Sequence, residues 1–159
     1  MKLRMVIEYH TIRSLFQAMN KRKSIMKKAF DFLNKHKDVA FATVKQDKPK
    51  IRVFQIMKQE RHTLYFATSP YKEVYHQLKQ NSNVEILAMS GNISVRISGQ
   101  VIFDVPDNIA KDIYINNPVL PRLYKTYKDL VYFRLTIDKL DYYDLGFTPP
   151  LFEHYENTH

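Results

Sequence analysis

The chain contains no cysteine, no tryptophan, only three glycines and no long apolar run. Without cysteine there is no disulfide framework, no thiolate metal site and no cysteine nucleophile, and a reducing compartment, the cytoplasm, is the expected location. Gly91, Gly99 and Gly146 stand apart from one another. They cannot form the clustered glycines of a dinucleotide-binding turn or a phosphate-binding loop. No stretch approaches the roughly 20 apolar residues of a membrane-spanning helix. Met5-Val6-Ile7 is broken at once by Glu8 and His10, so it is not the apolar core of a signal peptide. No membrane partner is expected. The six histidines (His10, His36, His62, His76, His154, His159) show no paired ligand spacing, and no metal site is expected. Asp138, Asp141 and Asp144 recur every third residue without the central glycine of a calcium loop and read as solvent-facing charges. No serine sits in a nucleophile elbow, and no catalytic residue is assigned.

What is present is enough for one domain with a real core: 159 residues, 45% of them hydrophobic, with eleven tyrosines and ten phenylalanines. The net charge of +9 is unevenly placed. Residues 1–28 hold eight basic side chains against Glu8 alone, whereas the remainder holds 17 basic and 15 acidic ones. The basicity therefore belongs to an N-terminal arm, and the near-neutral body argues against nucleic acid as its partner.

Ile12, Leu15, Phe16 and Met19 are at helical spacing, and Lys21-Arg22-Lys23 then interrupts the apolar face as a solvated hinge. Residues 1–24 are accordingly expected to be a basic, helical, peripheral extension. Ser24 is placed to cap a helix reaching about His36, with Ile25, Met26, Ala29, Phe30 and Leu33 inward. Strands are predicted over Val39–Val44, Lys50–Met57 and Thr63–Thr68, with turns at 46–49 and 59–62. Ser69-Pro70 reads as a serine cap and first-position proline opening a helix to about Asn81. Val84–Met89, a tight turn at Ser90-Gly91-Asn92 and Ile93–Phe103 follow, with Gly99 as an expected bulge. A helix over Asn108–Asn117, a short helix after Pro121 and closing strands Leu130–Ile137 and Leu140–Asp144 complete a domain of residues 25–146. Pro149-Pro150 leads into a polar tail, 147–159. Successive strands joined by short turns, interrupted by one helix, indicate a mainly β fold, an antiparallel meander or barrel.

Chemistry-bearing residues gather around the second strand and the junction at 68–72. Arg52 offers a forked guanidinium, Thr68 and Ser69 hydroxyls, and Lys72 a point charge near a helix start. Those parts together suit a terminal phosphate.

The stretch from about Met26 to Asp144 resembles the pyridoxamine 5′-phosphate oxidase-like family of flavin-binding split barrels, in the branch of the nitroimidazole-resistance proteins. The likeness lies in the order and spacing of Val39-Ala40-Phe41-Ala42-Thr43-Val44, Pro49-Lys50-Ile51-Arg52-Val53-Phe54, Leu64-Tyr65-Phe66-Ala67-Thr68-Ser69 with Lys72, Asn83-Val84-Glu85-Ile86, and Val95-Arg96-Ile97-Ser98-Gly99-Gln100-Val101. The resemblance implies a six-stranded antiparallel split β-barrel with flanking helices. It implies flavin mononucleotide (FMN) as cofactor, held between two subunits of a homodimer. Arg52 and Lys72 would grip the phosphate and Thr68 and Ser69 would add donors. Val53, Phe54 and Gln55 would run beneath the ribityl chain and ring, Ala67 would let the cofactor lie close, and Ser94 would touch it from another strand. A small-molecule redox substrate and a nicotinamide nucleotide donor are the implied partners.

The chain also departs from the vitamin-processing oxidases. It lacks the tryptophan beside the flavin, and Phe147–His159 contains no arginine to hold substrate, which argues against oxidation of pyridoxamine phosphate. Two further readings stand beside a flavin-dependent oxidoreductase: a flavin or haem carrier without turnover on the same barrel, and a nucleic-acid-associated protein that uses the basic arm.

Overall fold

The computed structural model describes residues 2–157, with side chains from residue 8 onward. The chain runs α1 (Lys2–Lys35), β1 (Asp38–Lys45), β2 (Lys48–Gln55), β3 (Lys58–Glu60), β4 (Thr63–Thr68), α2 (Glu73–Gln80), β5 (Asn83–Ser90), β6 (Ile93–Ile102), α3 (Asp107–Asn116), α4 (Val119–Leu123), a 3₁₀ turn (Tyr127–Asp129), β7 (Val131–Asp144) and β8 (Leu151–Glu156). All pairings are antiparallel, in the order β2-β1-β5-β6-β7-β4-β3 with β8 also on β7. The result is the expected split barrel with flanking helices, built from eight strands rather than six.

Strand faces follow the period-2 pattern. Val39, Phe41 and Thr43 of β1, Val84, Ile86 and Ala88 of β5, and Val95, Ile97 and Val101 of β6 point inward. Phe41, Phe54, Phe66 and Phe133 form an aromatic cluster at the centre, with ring centroids 4.8–6.1 Å apart. β4 is apolar from Leu64 to Ala67, between its two threonines, and is covered on both faces. Leu64 and Phe66 enter the main core, while Tyr65 and Ala67 enter a second cluster under α3 and α4 with Ala110, Ile113, Leu120 and Tyr132.

The two extra strands lie in segments whose sequence reads as turn and tail. Gln59 and Glu60 belong to β3, which pairs with β4 before Arg61 turns the chain at φ +54°. Leu151–Glu156, expected to be polar tail, pairs with β7 as β8 and buries Tyr155; residues 158–159 of that tail lie outside the described residues. The two expected closing strands are one, β7, because a register shift opposite Ser98/Gly99 absorbs Asp138 without breaking the ladder. This long strand carries β4 and β8 end to end along its other edge. Pro121 lies inside α4 rather than before it.

α1 is also continuous where a hinge is expected at Lys21-Arg22-Lys23. Those residues are good helix formers and the segment has no glycine or proline, so nothing local stops the helix and Ser24 becomes an interior position. Arg22 lies 4.7 Å over the Tyr155 ring, and docking on the barrel begins at Ile25 and Met26, each 2% exposed. We propose that residues 1–24 are peripheral to a domain that begins at residue 25 and, with β8 paired to β7, runs past the expected boundary at 146. A chain beginning at Ser24 is then expected to fold, with a melting temperature lower by only about 2–4 °C if the lost Arg22 contact is worth about 1 kcal/mol. Failure of that chain to fold would make the extension integral.

Candidate cofactor-binding site

A cleft of about 240 Å³ opens where β2, the end of β4, the start of α2 and α4 meet. Arg52, Val53, Phe54 and Gln55 line it from β2, Ala67 and Thr68 from β4, and Lys72 from the turn before α2. Val119, Leu120, Leu123 and Tyr124 close it from the other side. Seven of the nine residues singled out in the sequence thus meet in one place. The alternation of β2 explains part of this: Arg52 and Phe54 turn toward the body while Val53 and Gln55 face out at the strand edge.

Arg52 is held firmly. Its Nη1 donates to the Phe41 carbonyl at 3.2 Å and to Thr43 Oγ1 at 2.6 Å, and Nη2 donates to Gln77 Oε1 at 2.8 Å. The Thr43 hydroxyl in turn donates to Gln77 Oε1 at 2.6 Å. Three hydrogen bonds from a group with five donors fix its orientation and leave capacity for a ligand. Burial lowers the Arg52 pKa and the nearby Glu73 carboxylate opposes that shift; a guanidinium stays charged regardless. Glu73 itself is taken by Lys45, whose hydrogen bond and charge hold its carboxyl below the ordinary range. Thr43 and Gln77, both buried, orient Arg52 and are positions that the sequence reading missed. A glutamine one turn from Val74 and beside Leu78 on the inward face of a short helix is the signal that could have found one of them.

Thr68 is 3% exposed, and its hydroxyl has no hydrogen-bond partner among the described residues. An orphaned buried hydroxyl on a cleft wall beside Arg52 and Lys72 is what a site for an oxygen-rich anion would leave when read without its ligand. The parts therefore fit a terminal phosphate.

Two residues fall elsewhere. Ser69 is buried but does not line the cleft, and it is not the helix cap. Its Oγ accepts from the Tyr71 N–H at 3.3 Å and its carbonyl from the Lys72 N–H at 3.1 Å, so the chain turns once more and α2 starts only at Glu73. Ser94 lies on the outer face of the sheet. There it lines a separate, larger cavity of about 620 Å³ with Ala40, Ala42, Ile51, Leu87, Tyr143 and Phe152.

Beside that outer cavity is an ion cluster. Asp141 accepts from Arg96 Nη2 at 2.6 Å and faces His154 Nδ1 at 2.5 Å, while Glu85 lies 3.5 Å from Arg96 and Glu156 lies 3.6 Å from His154. Asp141 is thus enclosed rather than solvent-facing. Burial alone would raise its pKa, but hydrogen bonds from His154 and Arg96 bring it below the ordinary value. The bond to Asp141 raises the His154 pKa, against a smaller opposing effect of burial. A raised histidine pKa means that the pair's stabilisation is complete below the ordinary value of about 6.5 and fades as pH climbs through the raised one. The melting temperature is expected to decline across that range in the native chain and to decline less in His154→Gln. The effect is small because the imidazole is 42% exposed. Identical pH profiles would remove the linkage.

Topology and cleft together define a split β-barrel with a cationic, phosphate-fitting cleft at its β4–α2 junction. The model of the pyridoxamine 5′-phosphate oxidase family matches residues 25–142, and the chain belongs to that family. No protein with a curated description matches the sequence. Among solved structures, a NimC/NimA family protein of Clostridium acetobutylicum is 22% identical, with a TM-score of 0.69, covering 82% of this chain and 93% of that one. A pyridoxamine 5′-phosphate oxidase-related, FMN-binding protein of Nostoc punctiforme is 15% identical, with a TM-score of 0.57, covering 77% and 81%. A heme-binding protein of Mycobacterium smegmatis is 14% identical, with a TM-score of 0.62, covering 78% and 55%.

Proposed function

We propose that this chain binds FMN in the β2–β4–α2 cleft and acts as a flavin-dependent oxidoreductase in the cytoplasm. The observation that carries the reading is the convergence of Arg52, Lys72 and the unpartnered Thr68 hydroxyl in one cleft. Arg52, oriented by Thr43 and Gln77, and Lys72 hold the phosphate; Thr68 donates to it, and Ser69 shapes the turn that presents Lys72. Val53, Phe54 and Gln55 support the ribityl chain and ring, with Ala67 small enough for close approach. Among the described residues that line the cleft, Arg52 and Lys72 are the charged groups, a lining that suits an anionic cofactor able to supply the redox chemistry itself. The flavin, when bound, would supply electron transfer for a small-molecule substrate, with a nicotinamide nucleotide as donor. The missing tryptophan and C-terminal arginine weigh against pyridoxamine phosphate as that substrate.

The cleft is smaller than the roughly 300–1,000 Å³ of ordinary cofactor pockets, which supports a site completed by a second copy. The outer face supplies the surface. Ile51, Val53 and Met89 are more than 70% exposed there, and Leu87, Tyr143 and Phe152 join them, an apolar concentration that isolated chains avoid. A two-fold dimer through this face brings in Ser94 as a residue of the partner. Leu87→Asp is expected to yield a monomer in sedimentation with much weakened FMN binding. A monomer that still holds FMN would refute the shared site.

A carrier without turnover is the second reading, favoured by the likeness in fold to a heme-binding protein. Haem as its cargo is disfavoured because, among the described residues of this chain, the lining offers Met57 and Tyr124 as axial ligands and no histidine. A visible spectrum of the purified protein separates flavin from haem. Bleaching of the flavin band on adding a nicotinamide nucleotide, with steady-state turnover on a redox acceptor, separates enzyme from carrier; a bound flavin that no nicotinamide nucleotide reduces would sink the oxidoreductase reading.

A further inference from the structure

Residues 8–24 of α1 are exposed along their whole length. Ile12, Met19, Met26 and Leu33 recur at every seventh position, which keeps them on one stripe of the helix. Met26 and Leu33 are buried against the barrel, whereas Ile12 and Met19, with Tyr9, Leu15 and Phe16 beside them, are 55–66% exposed. The stripe that docks the helix thus continues past the body with nothing among the described residues to cover it. His10, Arg13, Ser14, Gln17 and Lys21 occupy the opposite side, and Glu8 is the only acidic residue before Asp31.

An isolated amphipathic helix is marginal in water and gains its stability from whatever covers its apolar face. A second copy of the same helix is a poor cover. Over residues 8–24 each brings Arg13, Lys21, Arg22 and Lys23 against Glu8 alone, with no further acidic side chain to offset the other's charge. Nucleic acid would answer the charge and leave five large apolar side chains in water. A surface both negatively charged and apolar just beneath answers both.

We propose that residues 8–24 lie in the interface of an anionic phospholipid bilayer. Tyr9, Ile12, Leu15, Phe16 and Met19 enter the acyl boundary, Arg13 and Lys21 meet the headgroups from the opposite side, and Lys23, which ends the apolar stripe one turn after Met19, extends its chain to reach them. Among the described residues no helix is long and apolar enough to cross a membrane. A helix lying on the surface needs no such run, so the proposal revises the expectation of no membrane partner drawn from the sequence. It does not depend on the cofactor reading.

The test uses the full chain with phosphatidylglycerol-containing vesicles and with pure phosphatidylcholine vesicles. Co-sedimentation is expected with the anionic vesicles only, weakening as salt is raised. Leu15→Glu with Phe16→Glu is expected to reduce it by about tenfold or more, since two buried apolar contacts are lost, with an unchanged melting temperature. The native chain has no tryptophan, so Phe16→Trp reports insertion by a blue shift of its emission on anionic vesicles alone. Absence of vesicle binding, equal binding to both vesicle types, or unshifted Trp emission overturns the proposal. So does finding that the double glutamate variant changes only nucleic-acid binding or only the oligomeric state.

Discussion

Arg52→Ala is expected to weaken FMN binding by about 2 kcal/mol or more, a loss of about 30-fold, while barely changing the affinity for riboflavin. The asymmetry follows from where the guanidinium lies. It faces the cleft beside Lys72 and Thr68, and only the phosphorylated ligand has a dianion to place there. Arg52 also bonds Phe41, Thr43 and Gln77, so the same substitution should lower stability by about 1–3 kcal/mol. Lys72→Ala separates the two effects. Lys72 is exposed and belongs to no buried network, so its loss should reduce FMN affinity with the melting temperature nearly unchanged. Calorimetric titration of both ligands into both variants, with melting curves alongside, checks the pair. An equal loss for FMN and riboflavin in Arg52→Ala would show that the residue acts only through the fold.

Gly99→Ala is expected to be the most damaging alanine substitution among the three glycines, costing about 3 kcal/mol or more, at the top of the overpacking range. A Cβ at this position would lie 1.7 Å from the Thr136 carbonyl oxygen and 2.8 Å from its carbon. The obstruction is backbone and cannot swing aside as a flexible side chain would. It lies at the register shift between β6 and β7, the pairing that joins the two ends of the sheet. Gly91→Ala is the contrasting control. It has open space but a positive φ of 56°, so its cost is conformational and about 1 kcal/mol. Urea unfolding of both variants tests the ranking, and a milder Gly99→Ala would mean that the two strands can part without loss.

How far the sequence could be read depended on whether a signal was local. The β1–β2 and β5–β6 hairpins were legible because strand alternation and turn residues act over a few positions. The two-residue turns at Gln46-Asp47 and Gly91-Asn92 have the positive φ values that such hairpins require at their leading positions. Arg52, Thr68 and Lys72, singled out as side-chain types that suit a phosphate, line one cleft. Gly99 was legible as a bulge because a lone glycine inside a strand pattern marks one, and the register shift lies there. Ser69 was misread because a serine before proline resembles a cap, and only the backbone shows its Oγ already used by the Tyr71 N–H. The placement of Ser94 was hidden because strand periodicity fixes that a side chain alternates, not which cavity its face adjoins. β8 was missed because Pro149-Pro150 and the charged ending obscured a true alternation: Leu151, Glu153 and Tyr155 turn in while Phe152, His154 and Glu156 turn out. The α4 wall of the cleft, with prolines at 118 and 121, carries little local signal and takes its place from packing against β4.

The central claim is that the β2–β4–α2 cleft is built around a phosphate carried by a flavin. Titrating the native protein with FMN and with riboflavin under identical conditions tests it most directly. Two charge-assisted contacts at about 1.5–3 kcal/mol each predict that FMN binds more tightly by about 100-fold or more. Equal affinity for the two ligands, or saturable binding of haem with no binding of FMN, would contradict it.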